Sequence, residues 1–544
     1  MSLSRPAVLA LLAALLVVWF ALLGSRDLME ADEGRYAEIP REMLVTGDWV
    51  TPRLDGFKYF EKPPLQYWLT AAGFAVFGVG TATARLWPAL LGLLGAAVAG
   101  WLGLRLYGPR AGAFAFLALL TSLLYWAMGH ILTLDMAVSV FLFVGIACLV
   151  RAQQQRTDWA RGRRWMWLGW AALAAATLSK GLIGVVLPGG AVVLYSLWQR
   201  DWTLWKRMEL GKGLLILLAL TAPWFIVVSL RNPGFAWFFF VREHLERYAT
   251  DIHRQTAPDW YFVPVFLVGT LPWTGAMVMS LVRPGFAWRK GGGEFSAERF
   301  LWVFAAVVFV FFSLGDSKLE PYLLPMIPAV AVLAGRSLAN RGDPSLPWFT
   351  LAAAVALAGL AWVGPQYATD PTTRQLVIDN RGWFYLAAGV LVAAGLLVLP
   401  WRPLGDLRLG AYAVVVLVAL QVLAWGYHQV SEPWRSSRNL AEAILAQHPG
   451  DAPIYAVGDY YPQSLPFYLR RTVHLVRISG ELEMGIRMEP QRWIPTMEDF
   501  APRWIAAEQA YAVLNEASLR WAQGRGLPMR ELATNARLTV VARR

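Results

Sequence analysis

From residue 6 to residue 427 the chain is a succession of apolar runs, many of them about twenty residues long, separated by short hydrophilic stretches. A run of that length crosses a hydrocarbon core of about 30 Å as a helix, and backbone immersed in lipid is satisfied only in helices or closed barrels. The expected fold class is therefore an α-helical polytopic membrane protein. Composition agrees: 57% of residues are hydrophobic and 16% charged, against about a quarter charged in soluble proteins, and the mean hydropathy is +0.43. The net charge of +12 is a topological signature here, because Lys and Arg collect in cytoplasmic loops. Bilayer lipids are the expected surroundings, and nucleic acid is set aside as a partner. The single cysteine, Cys148, lies inside an apolar run, so neither an internal disulfide nor a thiolate-rich metal site is available.

Residues 6–24 read either as a retained span or as a signal peptide. A signal peptide has an apolar region of about 7–15 residues before a small-residue cleavage site, which favours the span. Residues 65–79 read as a helix lying in the membrane interface. Runs near 85–104, 111–129, 134–150, 165–179, 181–198, 213–230, 260–282, 299–315, 322–338, 348–366, 381–399 and 410–427 then complete about thirteen spans. Every second connection is short and basic, as at Arg151–Arg164 and Arg200–Lys212, and is cytoplasmic by the positive-inside rule. The loop at 25–84 and the C-terminus fall on the opposite side. After residue 427 hydropathy drops and short helical and strand patterns alternate, predicting a small α/β domain over 428–544. No P-loop, dinucleotide fingerprint or H-E-x-x-H is present, so no nucleotide cofactor is expected.

The chemistry-bearing residues gather on that opposite side. In the first loop, helical spacing puts Asp32, Arg35 and Tyr36 on one face, with Glu33 beside them. Residues 50–60 read as a hairpin turning at Asp55-Gly56, which returns Tyr59, Glu61 and Lys62 to the membrane surface. Asp135, Lys180, the stretch Arg242-Glu-His244-Leu-Glu-Arg247-Tyr248, His253 and Lys318-Leu-Glu320-Pro-Tyr322 belong to the same side. Converging carboxylates and cations suit an anionic lipid headgroup reacting at a charged centre. Each residue also has a structural reading: Asp32 and Glu33 as acids at a helix N-terminus, Asp55 as a turn former, Lys62 and Lys180 as snorkelling cations, Asp135 as an N-cap, and His244 as a partner of Glu243 or Glu246.

Asp-Glu-Gly-Arg-Tyr-Ala-Glu at 32–38, Tyr-Phe-Glu-Lys-Pro-Pro-Leu at 59–65, Leu-Thr-Leu-Asp at 132–135 and Leu-Ser-Lys-Gly at 178–181 resemble the GT-C class of polyprenyl-phosphate-dependent glycosyltransferases. More closely, the chain is similar over its whole length to bacterial 4-amino-4-deoxy-L-arabinose lipid A transferases of the ArnT type. The resemblance implies a GT-C fold, an undecaprenyl-phosphate-linked aminosugar donor, a lipid A acceptor, and a periplasmic active site in the bacterial inner membrane. It implies catalytic roles for Asp32, Asp135 and Glu33, and lipid-phosphate binding by Arg35, Tyr59, Lys62, Lys180, Arg247 and Tyr322. It also raises Glu61 with His244 or His253 as a site for a divalent metal such as zinc or magnesium. Gly34 stands where relatives often carry Ala, and would loosen the helix. Two rivals stay open: transfer of another polyprenyl-linked sugar to a protein or glycan, and lipid transport, which calls for ionisable residues near the bilayer midplane.

Overall fold

A computed structural model of the chain describes residues 4–155, 157–246, 257–284, 295–341, 344–399 and 405–544. Each predicted span coincides with a helix or with two helices joined end to end. Among the described residues, eight helices are long and apolar enough to cross a bilayer, and the pair Pro109–Leu120 and Leu123–Gly129, bent by 65°, makes a ninth. The remaining predicted spans fall short of that measure. Arg5–Phe20 has 16 residues and Ile183–Gln199 has 17, Phe262–Gly269 and Thr274–Val282 divide the run at 260–282, and Trp159–Lys180 carries Arg161, Arg163 and Arg164 in its first two turns. Leu65–Phe77, at 13 residues, is about 20 Å long, which suits a helix lying in the interface.

Burial sorts the spans. Only 11% of the apolar window of Pro371–Leu397 is covered by protein, against 78% for both Asp135–Gln154 and Glu320–Asn340. The two central helices are those that begin at Asp135 and, two residues before Tyr322, at Glu320. Exposed Leu215, Leu218 and Leu230 on Leu210–Arg231 show the face presented to lipid.

The last long helix, Asp406–Arg435, runs about two turns past the predicted boundary at 428. Beyond it lies a five-stranded sheet in the order His474–Val476, Ile454–Val457, Tyr511–Asn515, Leu538–Arg543, Met529–Thr534. The first three strands are parallel and the last two antiparallel. Helix Met497–Ala506 packs Phe500 and Trp504 on one face of the sheet. The other face shares a single core with the first loop, in which Leu28, Tyr36, Ile39, Phe57 and Tyr59 join Leu465, Leu475 and Val540. Polar contacts reinforce this seam. The buried Glu30 carboxylate accepts hydrogen bonds from the hydroxyls of Ser437 at 2.5 Å, Ser464 at 2.7 Å and Tyr460.

Candidate active site

The acidic pair that opens helix Asp32–Thr46 divides between two environments, because neighbouring residues on a helix point about 100° apart. Asp32 faces outward, its side chain 55% exposed, and accepts a 2.7 Å bond from Arg35 Nη2. Glu33 is buried. It accepts from Arg85 Nε and Nη2, both at 2.7 Å, and from the backbone N–H groups of Leu132 at 2.9 Å and Met29 at 3.0 Å. Burial pushes its carboxyl upward, but Arg85 and the two amides outweigh that and hold it below the ordinary carboxylate range. Its four bonds tie the helix to Arg85 on helix Thr81–Tyr107, to Leu132 and to the preceding turn at Met29, so the expected catalytic role for Glu33 gives way to a structural one. Gly34 has a further role. A Cβ there would lie 2.6 Å from the backbone nitrogen of Ser464, so the glycine admits the C-terminal domain to close contact with the helix.

The hairpin forms as expected, with Arg53–Leu54 antiparallel to Phe57–Lys58 and positive φ at Asp55 and Gly56, the conformation of a type I′ turn. Asp55 is more than a turn former: its buried carboxylate accepts the Val473 N–H at 2.7 Å. The hairpin brings Tyr59 under the motif helix. Arg35 Nη1 donates to the Tyr59 hydroxyl at 3.0 Å, and that hydroxyl donates to Glu61 Oε2 at 3.0 Å. Burial pushes the Tyr59 phenol well above its usual value, so it keeps the proton this relay requires. Burial works against the Arg35 cation, and the Glu481 and Asp32 carboxylates beside it favour the charged form. Glu481, from the C-terminal domain, pairs directly with Arg35.

Beyond Glu61 the site opens into a cavity of about 340 Å³ lined by Glu61, Lys62, Asp135, Lys180, Glu243 and Tyr322, with Ile183, Val186 and Phe311 forming an apolar wall. Helices Asp135–Gln154 and Trp159–Lys180 pack side by side with the start of one beside the end of the other, so Asp135 in a first turn pairs with Lys180 in a last turn. Each charge sits at the helix end whose dipole favours it. Lys180 Nζ also lies 4.9 Å from the centre of the Tyr322 ring, and Lys62 Nζ is 3.9 Å from Glu61 and 3.6 Å from Glu243. The pocket thus sets two lysines, each paired with a carboxylate, against an apolar wall, an arrangement with cations for a phosphate and room for a lipid chain.

Arg247 and His253 lie outside the described residues, as does the side chain of His244 on the π-helix Trp237–Glu246. Among the described residues, no three His, Cys, Asp or Glu side chains converge as a metal site, and Glu61 is engaged by Tyr59 and Lys62. Sequence reasoning passed over Arg85 and Glu481. An arginine within an apolar helix was a signal for the first; the second sits in no motif.

A helical membrane fold of the GT-C class, with a charged mouth against a C-terminal α/β domain, is what these features define. A family model described as dolichyl-phosphate-mannose-protein mannosyltransferase matches residues 6–239, and one described as aminoarabinose transferase C-terminal domain matches residues 440–543. The undecaprenyl phosphate-alpha-4-amino-4-deoxy-L-arabinose arabinosyl transferase of Pseudomonas aeruginosa is 32% identical over 549 residues, covering 93% of this chain and 94% of that one. Its counterpart in Erwinia tasmaniensis is 33% identical over 382 residues, 67% of this chain and 68% of that one. The crystal structure of ArnT from Cupriavidus metallidurans bound to undecaprenyl phosphate superposes with a TM-score of 0.90 at 36% identity, covering 99% of this chain and 98% of that one. The chain belongs to the undecaprenyl phosphate-alpha-4-amino-4-deoxy-L-arabinose arabinosyl transferase family.

Proposed function

We propose that this chain moves 4-amino-4-deoxy-L-arabinose from undecaprenyl phosphate to a phosphate of lipid A, lowering the negative charge of that lipid and with it the affinity for polymyxin and other cationic peptides. The observation that carries the site assignment is the continuous path from Asp32 through Arg35, Tyr59 and Glu61 into the cavity that holds Lys62, Asp135, Lys180 and Tyr322. The mouth and the C-terminal domain face the periplasm in this reading and the N-terminus the cytoplasm, in keeping with the basic connections on the other side.

In the proposed step the bond between the anomeric carbon and the donor phosphate oxygen breaks, and its electron pair leaves with that oxygen. An oxygen of the acceptor phosphate forms the new bond to the same carbon. Lys62, Lys180 and Arg247 stabilise the charge that builds on the departing lipid phosphate, with the Tyr322 ring beside Lys180. Asp135 holds Lys180 in place. Asp32 stabilises the cationic character of the sugar, whose transition state is oxocarbenium-like, together with its ammonium group. A phosphate acceptor is already ionised at neutral pH, so no general base is needed. A divalent cation held by Glu61 with His244 or His253 is a separate proposal, tested by metal analysis of the purified protein and turnover after chelation; no step above passes through it.

Mass spectrometry of lipid A from cells that lack their own aminoarabinose transferase but make the donor tests the reading. Complementation is expected to add an aminopentose mass, and Asp32→Ala at equal expression to abolish it. An unmodified lipid A in well-expressing cells, with the sugar found on protein or another glycan, would overturn the choice of acceptor.

A further inference from the structure

Three carboxylates from one short stretch of the C-terminal domain each pair with an arginine of the mouth. Glu481 meets Arg35 on the motif helix, Glu483 meets Arg242 on the π-helix at 3.1 Å, and Glu489 meets Arg53 on the hairpin at 3.0 Å. The pairs differ in which member faces water. Arg35 is 6% exposed against 38% for Glu481, and Arg242 29% against 41% for Glu483, whereas Arg53 is 23% exposed against 14% for Glu489. In the first two pairs an anion arriving from solvent can replace the acid while the arginine stays packed. Beneath them the backbone is fixed: Leu482 is buried, and a Cβ on Gly485 would lie 2.4 Å from the Lys58 carbonyl oxygen. Movement is thus confined to two side chains, and Glu483 already has an alternative partner in Arg487, four residues on.

We propose that Arg35 and Arg242 form the binding site for the anionic headgroup of the acceptor lipid, and that Glu481 and Glu483 occupy it as built-in stand-ins until the acceptor displaces them. The inference takes its acceptor from the transfer reading above. Guanidinium forks bind phosphate and carboxylate oxygens alike, which is how one can stand in for the other. The position is also right. Arg35 bonds Asp32 and reaches the cavity through Tyr59, while Glu243, next to Arg242 in the chain, lies 3.6 Å from Lys62. An anion on the two arginines therefore sits beside the pocket assigned to the donor phosphate. Neither stand-in is locked in place: both acids keep a face open to water, and burial raises the Glu481 carboxyl against the pull of Arg35.

The test uses the purified full-length protein, its Glu481→Gln/Glu483→Gln variant and its Arg242→Gln variant, with steady-state transfer assays and calorimetric binding of inorganic pyrophosphate. The double variant is expected to lower the acceptor KM about threefold with the donor KM unmoved, and to bind pyrophosphate more tightly by a similar factor. Arg242→Gln is expected to raise the acceptor KM about tenfold, the equivalent of one charge-assisted hydrogen bond. An unchanged or raised acceptor KM with a reduced kcat in the double variant would overturn the proposal, since the carboxylates would then serve to orient the arginines. If the double variant fails to fold, Glu481→Asp provides the same comparison: a shorter acid that releases Arg35 lowers the acceptor KM, and an unchanged value counts against the proposal. Tighter pyrophosphate binding in a protein that transfers nothing to lipid A would keep the anion site and remove the transfer reading.

Discussion

Asp32 and Glu33 are chemically near-identical neighbours, and the molecule puts them to opposite use. Around Glu33 the charge is enclosed and matched: Arg85 is 1% exposed, its guanidinium also donates to the carbonyls of Leu23, Arg26 and Asp27, and neither residue lines the cavity. Around Asp32 the charges are open on one side and joined in sequence to the pocket. The difference teaches that an acidic pair at a helix start can combine a buried anchor with an exposed acid at the mouth. The anchor fixes the helix so that its neighbour arrives at the mouth in one orientation.

The sharpest break in that comparison is removal of the anchor. Glu33→Ala leaves Arg85 buried without its carboxylate and is expected to cost about 3–5 kcal/mol, read as loss of folded, detergent-stable protein in size-exclusion chromatography. Asp32→Asn is expected to leave the thermal transition where it is and to lower kcat by about 10²–10³-fold, the scale of losing one electrostatic stabiliser of a transition state. A variant that unfolds would erase the distinction between the two residues. Gly34→Ala lies between the pair and Arg35, and there the gain in helix propensity is opposed by contact with Ser464. Overpacking of this kind costs about 1–3 kcal/mol, expected as a lower melting temperature in the intact chain.

The smallest effect belongs to the far end of the same helix, where Glu42, and Asp55 in the hairpin turn beside it, are held well above the ordinary carboxylate range, chiefly by burial, with the nearby Glu38 adding to it. A carboxyl whose folded value is raised stabilises the fold at low pH and loses that contribution as pH rises through the raised value. Glu42→Gln, neutral at every pH, is accordingly expected to raise the melting temperature on the order of 2 °C at pH 8 and not at pH 5, by differential scanning fluorimetry at the two values.

Much of this was legible beforehand. Long apolar runs fixed the helical class, the turn pair Asp55-Gly56 fixed the hairpin, and the one-sided distribution of Asp32, Lys62, Asp135, Lys180 and Tyr322 anticipated residues that the fold gathers around one mouth. The remainder depends on partners distant in the chain. Glu33 takes its role from Arg85, and Arg35 takes a partner from Glu481; neither distance leaves a periodic trace. Strand Met529–Thr534 leaves little trace in the sequence, because Thr534 is its one β-branched residue, and it lies at the sheet edge with one register shift. The short helices Arg5–Phe20 and Ile183–Gln199 show how far hydropathy alone carries, since it locates an apolar helix better than it measures one.

The seam that closes over Glu30 and Gly34 joins the first loop to residues 437–464, more than four hundred positions later. At about 5–20 residues per second, a ribosome needs roughly 20–90 s to cover that distance. For that interval the nascent motif helix has an acid and a notch awaiting their occupants. The first segment to be delivered is thus among the last to be finished, and the enzyme acquires its working mouth only when nearly the whole chain has been made.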